Sequence, residues 1–135
     1  MRMDVSFVNP PGVHPPAGQY SHVARVALPG GGALLFVAGQ VALDEHGHIV
    51  GKGDVVEQAE RVFVNLAAVL ASQGAGAADI VKLSVFVTEM AYRGQIADVR
   101  TRHFGAAAPP STFVEVSRLA HDDLLLEIEC VAVTR

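Results

Sequence analysis

Tryptophan is absent from these 135 residues, aromatic side chains make up only 6%, and Cys130 is the single cysteine. One thiol excludes an internal disulfide and fits a reducing compartment. Positive charge is scarce: ten Lys and Arg face fourteen Asp and Glu, for a net charge of −4, and no basic run occurs. With so few aromatics, the chain lacks the electrostatic footprint of a nucleic-acid binder. No apolar run approaches the ~20 residues of a membrane span. The opening stretch, MRMDVSFVNPP, lacks the apolar segment of a signal peptide. These absences predict a soluble, cytoplasmic protein with neither nucleic-acid nor membrane partners.

What is present is apolar surface. Half the residues are hydrophobic and 18% are charged. A chain of this length forms one domain and buries roughly 68% of its unfolded surface, enough for a core without staples. The surplus of apolar residues predicts that another subunit covers part of the surface.

Four of the seven prolines fall in residues 9–18, NPPGVHPPAG. Proline donates no backbone hydrogen bond and fixes its own torsion, so residues 1–19 read as an extended arm and 20–135 as a single domain. Residues 20–28 alternate and meet the turn signal PGGG; ALLFVAGQVAL (33–43) follows as a second strand. Leu35, Val37 and Val41 on one side of it and Leu34, Phe36 and Ala38 on the other are all apolar. Such a strand needs cover on both faces.

Asp54, with Glu57 three residues on, has the spacing of a capping box. Behind it Val55, Ala59, Val62, Phe63, Leu66, Val69 and Leu70 form one helical stripe, and Gly74 supplies a stop. Residues 79–88 read as a buried strand and 91–105 as a weaker amphipathic helix with Ile96, Val99 and Phe104 inward. Residues 111–117 and 124–133 read as the last two strands, after a polar loop at 44–53 with a short strand at Ile49–Val50. Two helices of this length lie against one face of such a sheet. No element remains for the other face, and a second copy of the chain is the economical cover.

Candidate chemistry is sparse. Of the six histidines only His46 and His48 are close, in a turn, and no Cys or acid completes a metal-ligand set. Cys130 lies in an apolar strand with no base nearby, which fits an inert buried thiol. GGGALLF precedes a strand rather than a helix, so it is a turn and not a phosphate loop. Glu127 and Glu129 are different. They share one strand face with Leu125, Val131 and Val133. Two readings stand: a solvated edge, or a carboxylate beside apolar neighbours that holds a proton or orients water.

Residues 37–75 (VAGQVALDEHGHIVGKGDVVEQAERVFVNLAAVLASQGA), DIVKLSVFVTEM, PPSTFVEVSRLAHDD and LLLEIECVAV together resemble the Rid (YjgF/reactive intermediate deaminase) family. The match spans roughly residues 18–135. It implies an α+β, chorismate-mutase-like fold: a mixed sheet with two helices on one face. It also implies a homotrimer with small-molecule clefts between subunits. Many family members hydrolyse 2-imino acids or their enamine tautomers, releasing ammonia, with no cofactor.

By the same resemblance Glu127 matches the glutamate that holds the attacking water, and Tyr20 matches the pocket tyrosine. Gly39 and Gln40 match the family's Gly-Gln pair, with Ala38 in place of its serine. Ser111 stands where deaminating members carry an arginine that grips the substrate carboxylate. A serine hydroxyl carries no charge and cannot make that fork. Thr112 and Phe113 follow it, with main-chain groups placed to line the cleft. Two functions therefore remain: hydrolysis of an imine or enamine by Glu127, or metabolite binding without catalysis. Ribonuclease activity, attached by name to some relatives, lacks a basic surface.

Overall fold

The structure, a computed structural model, describes residues 4–135. Six strands form one mixed sheet: β1 (Val5–Val8), β2 (Val23–Ala27), β3 (Ala33–Gln40), β4 (Ile80–Val87), β5 (Ser111–Glu115) and β6 (Leu126–Thr134), in the order β1-β2-β3-β6-β4-β5. All neighbours are antiparallel except β4 and β5. That parallel pair is joined through α2 (Arg93–Phe104), as parallel strands require a crossover. Helix α1 (Val55–Ser72) connects β3 to β4.

The expected α+β architecture is the observed one, with both helices on a single sheet face. Every residue of the predicted stripe on α1 is buried. The Asp54 side chain accepts from the Glu57 amide at 3.1 Å, one half of the expected capping box. Gly74, at φ +75°, ends the helix in the left-handed conformation open to glycine. Leu35, Val37, Leu83, Val85, Leu126 and Ile128 face the helices, and with Phe63, Leu66 and Ile96 they make one continuous core.

The other sheet face is bare. Cross-strand register places Phe7, Ala24, Phe36, Val131 and Lys82 in one row across five strands. Phe7 is 72% exposed and Phe36 47%. This is the uncovered second face that the two-sided apolar pattern of residues 33–43 predicts.

Some boundaries differ from the sequence reading. Within the segment read as an extended arm, Val5–Val8 pairs with β2 as an edge strand. Four residues carry too little periodicity to announce a strand, and pairing defines this one. Residues 1–3 of the predicted arm lie outside the described part. The strand expected at 20–28 begins at Val23, and the one at 33–43 ends at Gln40. Ile49 makes only a single bridge, to Leu43. No helix is long and apolar enough to cross a membrane among the described residues.

Candidate functional site

The site begins with an irregularity in β3. Val37 pairs with Cys130 and Gln40 with Ile128, so three steps along β3 oppose two along β6. That bulge throws Ala38 and Gly39 out of register. Gln40 pins it: fully buried, its amide Nε2 donates to the Ala38 carbonyl (3.1 Å) and to Nδ1 of His22 (3.0 Å). His22 Nε2 in turn donates to the carbonyl of His14 at 2.7 Å. The imidazole of His22 thus bridges the Gln40 amide and the His14 backbone. Ala38 N–H donates to the His22 carbonyl, so both backbone polar groups of Ala38 are satisfied.

Glu127 lies across the bulge. A Cβ built on Gly39 would stand 2.5 Å from Glu127 Oε2, 2.7 Å from Cδ and 2.8 Å from Cγ. Gly39 is therefore the space in which the carboxylate rests. Glu127 is half-buried, and burial, with the nearby Glu129 charge adding to it, holds its carboxyl above the ordinary carboxylate range. Glu129, on the same face, is exposed.

Tyr20, Ala38, Gly39 and Glu127 line one cavity of about 1010 Å³, with His48, His121 and Asp123 on its loop side. The Tyr20 ring is half-exposed at the rim, its hydroxyl accepting from the Ala17 amide at 3.3 Å. Four of the seven sequence-predicted site residues thus meet in a single chain.

The other three do not join them. Thr112 lies in the same cross-strand row as Glu129, through Ser84, and accepts from Lys82 Nζ at 2.7 Å. It stands two strand spacings from β6, roughly 9–10 Å. Ser111 and Phe113 point to the opposite, helix-covered side, where they line a separate cleft with Arg93 and Arg100. Alternation along a strand makes this split unavoidable. Residues 111–113 cannot all face one ligand through their side chains.

Sequence reasoning missed two residues that shape the cavity. Gln58 is buried on α1. It donates to the carbonyls of Gly51 (3.1 Å) and Asp123 (2.7 Å) and accepts from the Leu125 amide (2.9 Å). Asn65 donates to the carbonyls of Val41 and Leu43. Together they tie both cavity-lining loops to the helix. A signal was available: the two amides are seven residues apart and fall inside the apolar stripe, where an unpaired polar group is costly. His46 and His48 are exposed turn residues, held by Asp44 through their backbone amides. Among the described residues no three His, Cys, Asp or Glu side chains are grouped to hold a metal ion. Cys130 is buried, and burial, with Glu129 adding to it, pushes its thiol up to about 12.

Residues 12–134 match the family model described as endoribonuclease L-PSP. A RutC family protein of Pyrococcus abyssi is 40% identical over 118 residues, 87% of each chain. A protein of Dermatophagoides farinae named 2-iminobutanoate/2-iminopropanoate deaminase is 27% identical over 118 residues, 87% of this chain and 88% of the other. The crystal structure of YyfA from Yersinia pestis, described as a conserved Rid family protein of unknown function, superposes with a TM-score of 0.85 at 28% identity. It covers 97% of this chain and 100% of that one.

Proposed function

The chain belongs to the Rid family, which the endoribonuclease L-PSP model describes, and from that premise we propose that it hydrolyses a small imine, or the imine tautomer of an enamine. The products are a carbonyl compound and ammonia. The observation that carries this reading is the Glu127 carboxylate, half-buried, seated over Gly39 and facing a cavity large enough for a metabolite. A carboxylate with a raised pKa is suited to accept a proton near neutral pH.

Water enters beside Glu127, which takes one of its protons as the oxygen bonds to the imine carbon. Glu127 passes that proton to the imine nitrogen, giving a carbinolamine. Glu127 then takes the hydroxyl proton and delivers it to the same nitrogen as the carbon–nitrogen bond breaks, leaving the carbonyl and releasing ammonia. Atoms balance as imine plus water giving carbonyl plus ammonia, with no cofactor. Tyr20 and the Ala38 methyl shape the pocket.

Assembly completes the site in this proposal. The bare face carrying Phe7 and Phe36 is covered by further copies in a homotrimer, and β5 of one copy, as an open sheet edge, borders the cavity of the next. Ser111 or Thr112, which lie on opposite faces of that strand, then offers a neutral hydrogen bond there, and the Phe113 backbone lines the seam. The preferred substrate lacks a carboxylate or presents it elsewhere, because Ser111 carries no charge. A net charge of −4 disfavours the ribonuclease reading of the family's description.

The test is ammonia release from imines formed in situ by an amino-acid oxidase, together with light scattering for the assembly. We expect turnover by the wild type that disappears in Glu127→Ala. A second reading, metabolite binding without catalysis, rests on Ser111: activity that arises only in Ser111→Arg would establish it and end the enzyme proposal. A monomer in dilute solution would end the trimer.

A further inference from the structure

The bulge under Glu127 is held from a distant part of the chain. Ala38 N–H donates to the His22 carbonyl at 2.8 Å, and the Ala38 carbonyl accepts from Gln40 Nε2 at 3.1 Å. That same amide lies 3.0 Å from Nδ1 of His22, whose Nε2 donates to the His14 carbonyl at 2.7 Å. The His22 N–H donates to Asn9 Oδ1 at 2.9 Å. Residues 9–22 therefore grip the bulge twice, once through the His22 backbone and once through its ring and Gln40. The same segment carries Tyr20 to the rim of the cavity, its ring edge-on to that of His22 with 6.2 Å between centres.

Packing alone does not account for these contacts. Gln40, His22 and His14 are 0%, 1% and 3% exposed. Among the described residues Gln40 Oε1 and His14 Nε2 have no hydrogen-bond partner. A buried polar atom left unpaired destabilises a fold, and apolar side chains of the same shape would fill the space at less cost. What apolar packing cannot supply is direction. Hydrogen bonds at both ends of Ala38 set where the next residue, Gly39, lies. Little freedom remains there, since a Cβ on Gly39 would already stand 2.5 Å from Glu127 Oε2.

We propose that residues 9–22 are a clamp on the Glu127 site, with His22 and Gln40 as its positioning residues. While the segment is seated, the bulge keeps Gly39 beneath the carboxylate and Glu127 half-buried. When it loosens, the bulge relaxes and the carboxylate turns toward solvent. The state of the N-terminal segment thus sets the state of the acid almost ninety residues further on. The consequence for turnover rests on the hydrolase reading of Glu127, whereas the seating of the carboxylate does not.

The experiment follows the Glu127 side-chain carboxyl carbon of the full-length, 13C-labelled protein by NMR as pH is varied, with the ammonia assay and urea unfolding alongside. In the wild type, burial holds this carboxyl above the ordinary carboxylate range. In His22→Leu and Gln40→Met we expect its midpoint to move down toward that range as the group gains solvent. Turnover number falls by roughly tenfold to a hundredfold, as for a displaced reacting group, and KM changes less. His22→Gln, which offers one donor and one acceptor in place of the two ring nitrogens, stays close to the wild type. Asn9→Ala removes a single bond at the edge of the clamp and moves the midpoint part of the way, which keeps the test open where His22→Leu does not fold. If the wild type releases no ammonia and the midpoint still moves in this order, the hydrolase reading fails and the clamp stands. A Glu127 midpoint that stays in place in Asn9→Ala and in every folded variant of His22 and Gln40, whatever their urea midpoints, would overturn the proposal. So would a midpoint that falls equally in His22→Gln and His22→Leu.

Discussion

Replacing Gly39 by alanine tests whether this glycine exists to seat the Glu127 carboxylate. The added Cβ would lie 2.5 Å from Glu127 Oε2, where ordinary contact starts at 3.4 Å, so that atom must retreat by 0.9 Å. Cδ must move 0.7 Å and Cγ 0.6 Å by the same measure. The three nearest atoms belong to one flexible side chain, and Gly39 has no positive φ that alanine would strain. The fold therefore loses little: about 0.5–1.5 kcal/mol for a Glu127 side chain forced off its rotamer. This is partly offset by about 0.4–1 kcal/mol from the reduced freedom of the unfolded chain. Function suffers more, since a shift of about 1 Å in a reacting group can cost on the order of 10²-fold in rate.

A double-mutant cycle in urea denaturation, run alongside the ammonia assay, separates these terms. In a Glu127→Ala background the clash is gone, so Gly39→Ala should become neutral or stabilising. A loss above about 3 kcal/mol, far beyond the strain of one displaced rotamer, that persists unchanged in Glu127→Ala would refute the reasoning. The glycine would then serve the backbone of the bulge and not the carboxylate.

Gln58→Met removes three hydrogen bonds at once, from the Gly51 and Asp123 carbonyls and the Leu125 amide. At about 1–3 kcal/mol for each buried group left unpaired, and with loops able to take up some water, the loss should be roughly 2–4 kcal/mol. Urea unfolding measures it, and faster hydrogen exchange at Leu125 locates it. His14 is buried with Nε2 unpartnered. Burial, outweighing the Pro15 carbonyl that accepts from it, keeps its pKa below the ordinary 6.5. The unfolded chain then takes up the proton more readily, so the His14 contribution is complete above about pH 6.5 and is lost on acidification. The urea midpoint should fall less between about pH 7.5 and 5 in His14→Gln than in the wild type; equal slopes would clear His14 of the effect. Cys130, with its thiol pushed up to about 12, should resist a thiol reagent at pH 8 until urea unfolds the protein. Rapid labelling of the native state would contradict its burial.

The sequence determined the elements whose cause is local. Periodicity marked the buried stripe of α1 residue by residue, and the Asp54 cap and the Gly74 stop framed it. The apolar residues on both sides of 33–40 announced a sheet with two faces to cover, and the chain leaves Phe36 on the bare one. The Rid resemblance gathered Tyr20, Ala38, Gly39 and Glu127, and these four line one cavity. Tertiary structure alone decided what depends on pairing between distant segments. Val5–Val8 is a strand only because β2 offers it an edge. The bulge that brings Gly39 under Glu127 is a count of residues between two strands almost ninety positions apart, which no local pattern encodes. The parity of β5 turned Ser111 and Phe113 toward the helices and Arg100, and left Thr112 on the other face. A strand sends alternate side chains to opposite sides, and which side meets the core is fixed only when the sheet and its helices pack.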